Sequence, residues 1–104
     1  MYQVEMLPGV LRDITEIAEY IAFQLHAPDA ADKLVTEIIT AAEGLSVFPY
    51  RYPLHHTIRP LKNEYRKLLV KNYILFYWID EPAKTVTVAR AVYGRRDLEK
   101  EFLP

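Results

Sequence analysis

The feature that most constrains this chain is a pair of β-rich runs in its last third, residues 73–79 (YILFYWI) and 85–92 (TVTVARAV), joined by the polar turn DEPAK. Two such runs around a short turn read as a β-hairpin. The first run is apolar on both faces, which is the composition of a central strand covered on both sides. Alternation in the second places Val86, Val88, Arg90 and Val92 on one face, with Thr85, Thr87, Ala89, Ala91 and Tyr93 on the other. A hairpin of this kind belongs in the middle of a small sheet. It leads directly into a polar cluster, Tyr93-Gly94-Arg95-Arg96-Asp97.

The rest of the chain supplies the layers such a hairpin needs. Residues 2–7 alternate well enough for a first strand, and Pro8-Gly9 stops it at a place suited to a helix start. Val10, Leu11, Ile14, Ile17, Ala18, Ile21 and Leu25 then recur at three- and four-residue spacing, which predicts one helical stripe. The sequence His26-Ala27-Pro28-Asp29 breaks that helix and opens a second, whose stripe is Ala31, Leu34, Val35, Ile38, Ala41, Ala42 and Leu45. Leu11 and Ile14 read as core. Residues 48–60 (FPYRYPLHHTIRP) form an aromatic, proline-rich connection, with a short strand expected at 58–61. Residues 65–70 read as a strand, Lys71-Asn72 as a tight turn, and 97–103 as a short helix or tail. The predicted order is β-α-α-β-β-β: an α+β domain with a two-helix hairpin on a twisted, mostly antiparallel sheet.

Composition sets outer bounds. At 104 residues the chain makes one domain, spanning 1–104, and buries roughly two thirds of its unfolded surface. It has no cysteine, which removes disulfides, thiolate chemistry and cysteine zinc sites. Neither a basic leader nor a long apolar run is present, and a soluble cytoplasmic protein is expected. The net charge of −1 conceals a split. Through Phe48 there are two basic residues against eight acids, and from Pro49 onward eleven against six, giving −6 and +5. Such asymmetry suits an acidic partner or polyanion on the basic side, and equally suits charges that pair across the folded surface.

The order of pieces at the C-terminal end, Tyr73-x-x-x-Tyr77 on one strand and then Arg90-x-x-x-Gly94-Arg95-Arg96-Asp97 closing the next, resembles the RelE/ParE superfamily. These are bacterial toxins of type II toxin–antitoxin pairs, including plasmid-stabilisation types. The resemblance covers nearly the whole chain and extends to FPYRYP at residues 48–53, which looks like the family's helix-to-sheet linker. It implies the β-α-α-β-β-β fold and a cognate antitoxin that wraps the sheet or helices in an oligomeric complex. The basic C-terminal half is the natural docking surface for an acidic chain.

Two activities follow from the resemblance, and a third reading stands beside them. The ribosome-dependent mRNA-cleaving branch needs basic residues on the sheet, an arginine after the last strand and a tyrosine six residues on. Here Arg66 and Arg96 fall on matching positions, but Leu68, Ile74 and Phe102 stand where a lysine, an arginine and the catalytic tyrosine belong. Phenylalanine has no hydroxyl to donate. A metal-independent endoribonuclease would therefore rely on Arg66, Tyr93 and Arg96, with Tyr93 as acid or base. The ParE branch, which poisons DNA gyrase by binding, fits the apolar strand and the arginine ending better, and Arg90, Arg95 and Arg96 are its expected contacts. The third reading is an inactive toxin fold that binds an antitoxin. Structural roles compete at each site: a salt-bridge cluster for Arg95-Arg96-Asp97, a rim aromatic for Tyr93 and a solvated strand end for Glu64. Tyr65, Tyr73, Phe76, Tyr77 and Trp78 read as core and cross-strand aromatics rather than base-stacking platforms. His55-His56 points its two rings to opposite sides of an extended chain and has no third ligand nearby, so neither metal nor cofactor is expected.

Overall fold

A computed structural model of the chain describes residues 1–56 and 63–94. The elements are β1 (Gln3–Met6), α1 (Pro8–Glu19), α2 (Pro28–Glu43), β2 (Arg66–Val70), β3 (Tyr73–Asp80) and β4 (Thr85–Tyr93). The strands lie in the order β1-β4-β3-β2. β2, β3 and β4 form an antiparallel meander, while β1 runs parallel to β4 with Gln3 beside Thr85 and Met6 beside Val88. The β-α-α-β-β-β order expected from the sequence is the order observed. The strand expected at 58–61 and the tail at 97–103 lie outside the described residues.

Both helices pack on one face of the sheet. Val10 and Ile14 of α1 and Ile38 and Ala42 of α2 meet Leu68, Leu75, Tyr77, Val86 and Val88 in one core. A smaller cluster on the opposite face joins Ile74, Phe76 and Val92, with Tyr65 against it. Leu75, Phe76 and Tyr77 are all fully buried, although neighbours in a strand point to opposite faces. β3 is therefore covered on both sides, as its unbroken apolar run required. Truncating Phe76 to Ala would cost about 3–5 kcal/mol.

Three local expectations need correction. Leu11 is 49% exposed, whereas Ile14 is buried. At 100° per residue Val10, Ile14 and Ile17 share a line, and Leu11 falls beside it. The first helix does not continue regularly to Leu25, because residues 20–24 widen into a π-helical turn in which the Leu25 N–H donates to the Tyr20 carbonyl at 3.2 Å. That widening turns Leu25 out, and it is 55% exposed. The alternation of β4 also breaks. Tyr77 pairs with Val88 and Phe76 with Arg90, so Ala89 is an extra residue in a β-bulge. Val86 and Val88 face the helices, but Val92 beyond the bulge belongs to the opposite cluster with Ile74 and Phe76.

Candidate functional site

The bulge sets how the end of β4 is presented. β1 ends opposite Val88, so from Ala89 onward β4 has no strand on that side. Asp13 of α1 fills the gap. Its carboxylate accepts from the Ala91 N–H at 2.9 Å, from Arg90 Nε at 2.8 Å and from Arg90 Nη2 at 3.3 Å. One side chain thus satisfies a strand-edge donor and grips the guanidinium in a two-point fork. Arg90, expected as a target contact, is held by this bracket with its side chain 30% exposed.

Beyond the bracket, Tyr93 stands 36% exposed, its ring edge-on to Tyr73 with centroids 5.7 Å apart. The chain then crosses the β2–β3 turn at close range. The Gly94 N–H donates to the Asn72 carbonyl at 2.8 Å, and a Cβ at Gly94 would sit 3.2 Å from that oxygen. Glycine is what permits this approach. Arg95, Arg96, Asp97 and Phe102 lie outside the described residues. Between this end of the sheet and the tip of the helical hairpin opens a cleft of about 790 Å³, lined among others by Glu16, Ile17, Tyr20, Leu25, Lys71 and Tyr93.

Arg66 is elsewhere. It pairs with Tyr77 across β2–β3, whereas Tyr93 pairs with Tyr73 across β3–β4. Four residues along β3 and two strand spacings separate them, roughly 16 Å. Arg66 Nη1 donates to the carbonyls of Tyr50 and Tyr52 at 3.1 and 2.7 Å, and its guanidinium lies 5.1 Å over the Tyr50 ring. It clamps the helix-to-sheet linker. Arg66 and Tyr93 are not brought together.

The far end of the sheet carries a polar cluster that sequence reading missed. Glu81, in the β3–β4 turn, accepts from the hydroxyls of Tyr2 and Tyr50 at 2.8 and 2.7 Å and from Lys84 Nζ. Lys84 first, then the two tyrosines, pull the Glu81 carboxyl down to about 2. The same bonds push Tyr2 and Tyr50 upward. Tyr77, fully buried, donates to the Pro49 carbonyl at 2.6 Å, and burial pushes its hydroxyl up to about 12. Phe48 enters the linker in the left-handed conformation (φ 50°) and is 75% exposed. Tyr2, Tyr50 and Glu81 come from three distant stretches, so no local pattern announced them. His55 packs edge-on to Phe76 with centroids 4.9 Å apart, and Glu64 is exposed. Among the described residues no three His, Cys, Asp or Glu side chains gather as a metal site requires, and no helix is long and apolar enough to cross a membrane.

A helical hairpin on a β1-β4-β3-β2 sheet, with its last strand leading into an arginine pair, defines the RelE/ParE-like class of toxin folds. The same fold occurs in a chain of the chromosomal ParDE toxin–antitoxin system from P. aeruginosa, with TM-score 0.72 and 16% identity over 89% of this chain and 96% of that one. It occurs in the toxin–antitoxin complex RelBE2 from Mycobacterium tuberculosis, with TM-score 0.64 and 22% identity over 88% and 96%. The archaeal RelE–RelB complex from Pyrococcus horikoshii OT3 gives TM-score 0.61 and 11% identity over 91% and 97%. No curated protein sequence matches the chain. Residues 4–98 match the family model of the ParE toxin of type II toxin–antitoxin systems, parDE. The chain belongs to the ParE toxin family.

Proposed function

We propose that this ParE-family toxin arrests growth by binding DNA gyrase and is silenced by a cognate antitoxin. The observation that carries the reading is the separation of Arg66 from Tyr93. An RNA-cleaving site has to hold its acid, base and phosphate-binding groups within reach of one phosphodiester, a few ångströms apart. Arg66 is spent on two linker carbonyls at the opposite end of β3. A binding toxin has no such requirement. Its contacts need only share a surface, and β4 leads toward one through Tyr93, Gly94, Arg95 and Arg96. Arginine forks suit an acidic protein surface or DNA phosphates at a gyrase–DNA complex. Arg90, gripped by Asp13, fixes the base of that surface, and Arg95 and Arg96 add two further positive charges by sequence. An antitoxin partner is supported by the relatives with this fold, which are described as toxin–antitoxin systems and complexes.

The test is inducible expression in bacteria of the wild type, Tyr93→Phe and Arg96→Ala. Growth is followed together with a gyrase–DNA cleavage assay and primer extension on a translated mRNA. Stabilised gyrase–DNA breaks are expected from the wild type and Tyr93→Phe, and far fewer from Arg96→Ala. Codon-phased mRNA cuts that disappear with Tyr93→Phe would replace the gyrase reading with an endoribonuclease. Growth unaffected by the wild type would leave an inactive antitoxin-binding module.

A further inference from the structure

The last pairing of the sheet reaches past the strands themselves. Tyr73 lies opposite Tyr93 at the end of the β3–β4 ladder, and the same register carried one step further sets Asn72 opposite Gly94. Asn72 belongs to the two-residue turn that joins β2 to β3 between the paired residues Val70 and Tyr73. Turn carbonyls commonly bond to water. This one accepts from the Gly94 N–H at 2.8 Å. The turn that offers it is held in a costly shape, because Lys71 has φ 56° and L side chains seldom adopt that conformation. Lys71 Nζ also lies 3.8 Å from Glu37 of α2. Backbone strain of this kind persists where its surroundings fix it, and it is a pointer to a role.

The exit of β4 is therefore gripped from both flanks. On one side Asp13 takes the Ala91 N–H at 2.9 Å, and on the other Asn72 takes that of Gly94. Glycine is not required at 94 for its dihedral freedom, since none of the described glycines has a positive φ. It is required for room. A Cβ there would meet the Asn72 carbonyl oxygen at 3.2 Å and the Ile74 side chain at 3.7 Å. The nearer of these is the backbone atom to which Gly94 is already bonded, so a side chain at 94 pushes its own acceptor away. Gly94 is exposed, and loosening this contact uncovers no core. Arg95 and Arg96 follow it directly in sequence.

We infer that Gly94 is a positioning residue: seated on the Asn72 carbonyl, it fixes the point from which the Arg95-Arg96 pair leaves the sheet and so aims the pair at the target. The inference rests on the gyrase reading proposed above. Binding groups that start from a fixed point have less freedom to lose when they meet their partner. The requirement falls on the bare Cα at 94 and on the backbone carbonyl of residue 72, and the Asn72 side chain has no part in it. A methyl group at 94 misdirects the arginines while the sheet stays folded.

The experiment measures Kd for a gyrase–DNA complex with wild type, Gly94→Ala, Arg96→Ala and the double variant, alongside the melting temperature and amide exchange of each toxin. Asn72→Ala is the control, because it keeps the carbonyl. Gly94→Ala should raise Kd roughly tenfold, speed exchange of the amide at position 94, and leave the melting temperature within about 4 °C of wild type. Asn72→Ala should bind like wild type. In the Arg96→Ala background, Gly94→Ala should change Kd by less than about twofold, since residues acting through one contact do not add. A glycine with only a structural role would weaken both backgrounds by the same factor, and that additivity overturns the inference. So does a Gly94→Ala toxin that binds like wild type. Where Arg96→Ala binds too weakly for the cycle, the single variant decides: a tenfold loss at an unchanged melting temperature upholds the positioning role, and a loss explained by the folded fraction overturns it. A wild type that neither binds gyrase–DNA nor stabilises its breaks overturns the gyrase reading itself, and the positioning role with it.

Discussion

Replacing Asp13 with Ala removes three hydrogen bonds at once, and the structure sets how much that costs. Two go to the Arg90 guanidinium and one to the Ala91 N–H at the bulge. Exposed ion pairs contribute about 0–1 kcal/mol, and stripping one partner from a fully buried pair costs about 3–5 kcal/mol. With side-chain exposures of 14% for Asp13 and 30% for Arg90, this pair lies between those limits. Water can reach the guanidinium and recover part of the loss, but reaches the half-covered strand edge less well. A destabilisation of about 2–3 kcal/mol follows, equivalent to roughly 10 °C in Tm for a chain of this length. Urea unfolding of Asp13→Ala, Arg90→Ala and the double variant gives the coupling directly. The coupling should exceed about 1 kcal/mol, and Ala91 amide exchange should accelerate in Asp13→Ala. Because the bracket orients the exit of β4, the gyrase poisoning proposed above should fall more steeply than the lost stability accounts for. An Asp13→Ala protein within about 0.5 kcal/mol of wild type would refute the bracket as the device that holds the bulge.

Two further outcomes concern the opposite end of the sheet. Tyr77→Phe loses the buried bond to the Pro49 carbonyl and should cost about 1–2 kcal/mol, read by urea unfolding near neutral pH. Because the folded hydroxyl sits at about 12 against an ordinary 10, the unfolded chain gives up its proton first. Stability is therefore full below pH 10 and declines between pH 10 and 12, and Tyr77→Phe should decline less steeply over that window. For Glu81 the sign reverses: its folded carboxyl lies at about 2 against an ordinary 4.5, so its contribution is present above pH 4.5 and lost as the pH falls toward 2. Acid titration of Glu81→Gln should show a flatter loss across that range, and an unchanged acid limb would show that the cluster contributes nothing.

How far the sequence predicted this molecule depended on the range of the interaction concerned. The β3–β4 hairpin was legible because a strand buried on both faces has no polar positions, and YILFYWI has none. The helices were legible from their 3.6-residue stripe, with proline at each start. The bulge was not, since Ala89 is neither glycine nor a charged interruption, and only pairing with Phe76 and Tyr77 shows the extra residue. Nor was the left-handed turn at Phe48, a conformation that sequence reading assigns to glycine or asparagine. Asp13 and Arg90 lie 77 residues apart, and Tyr2 and Glu81 79 apart. No periodicity spans such distances. Arg90 and Arg66 both drew notice as cations, and both are committed to the fold by partners that the sequence does not mark.

The polar contacts of this ParE-family fold divide along β3. At the Asp80 end, Tyr2, Tyr50, Tyr77, Glu81 and Arg66 tie the first strand, the linker and the β3–β4 turn into one polar network. Its members make bonds that a substrate phosphate would have to displace, so cations there stabilise the fold and are poorly placed to serve catalysis. At the Tyr73 end the demands reverse. Asp13 satisfies the edge donor of β4 at Ala91, and Gly94 draws the chain against Asn72. Both ends of the sheet are thus tied by polar contacts, with the fully buried Leu75-Phe76-Tyr77 segment between them. On the gyrase-binding proposal, a substitution at the Asp80 end should change activity chiefly through the folded fraction. On the same proposal, Arg96→Ala should lower gyrase poisoning, whereas Tyr93→Phe should leave it in place.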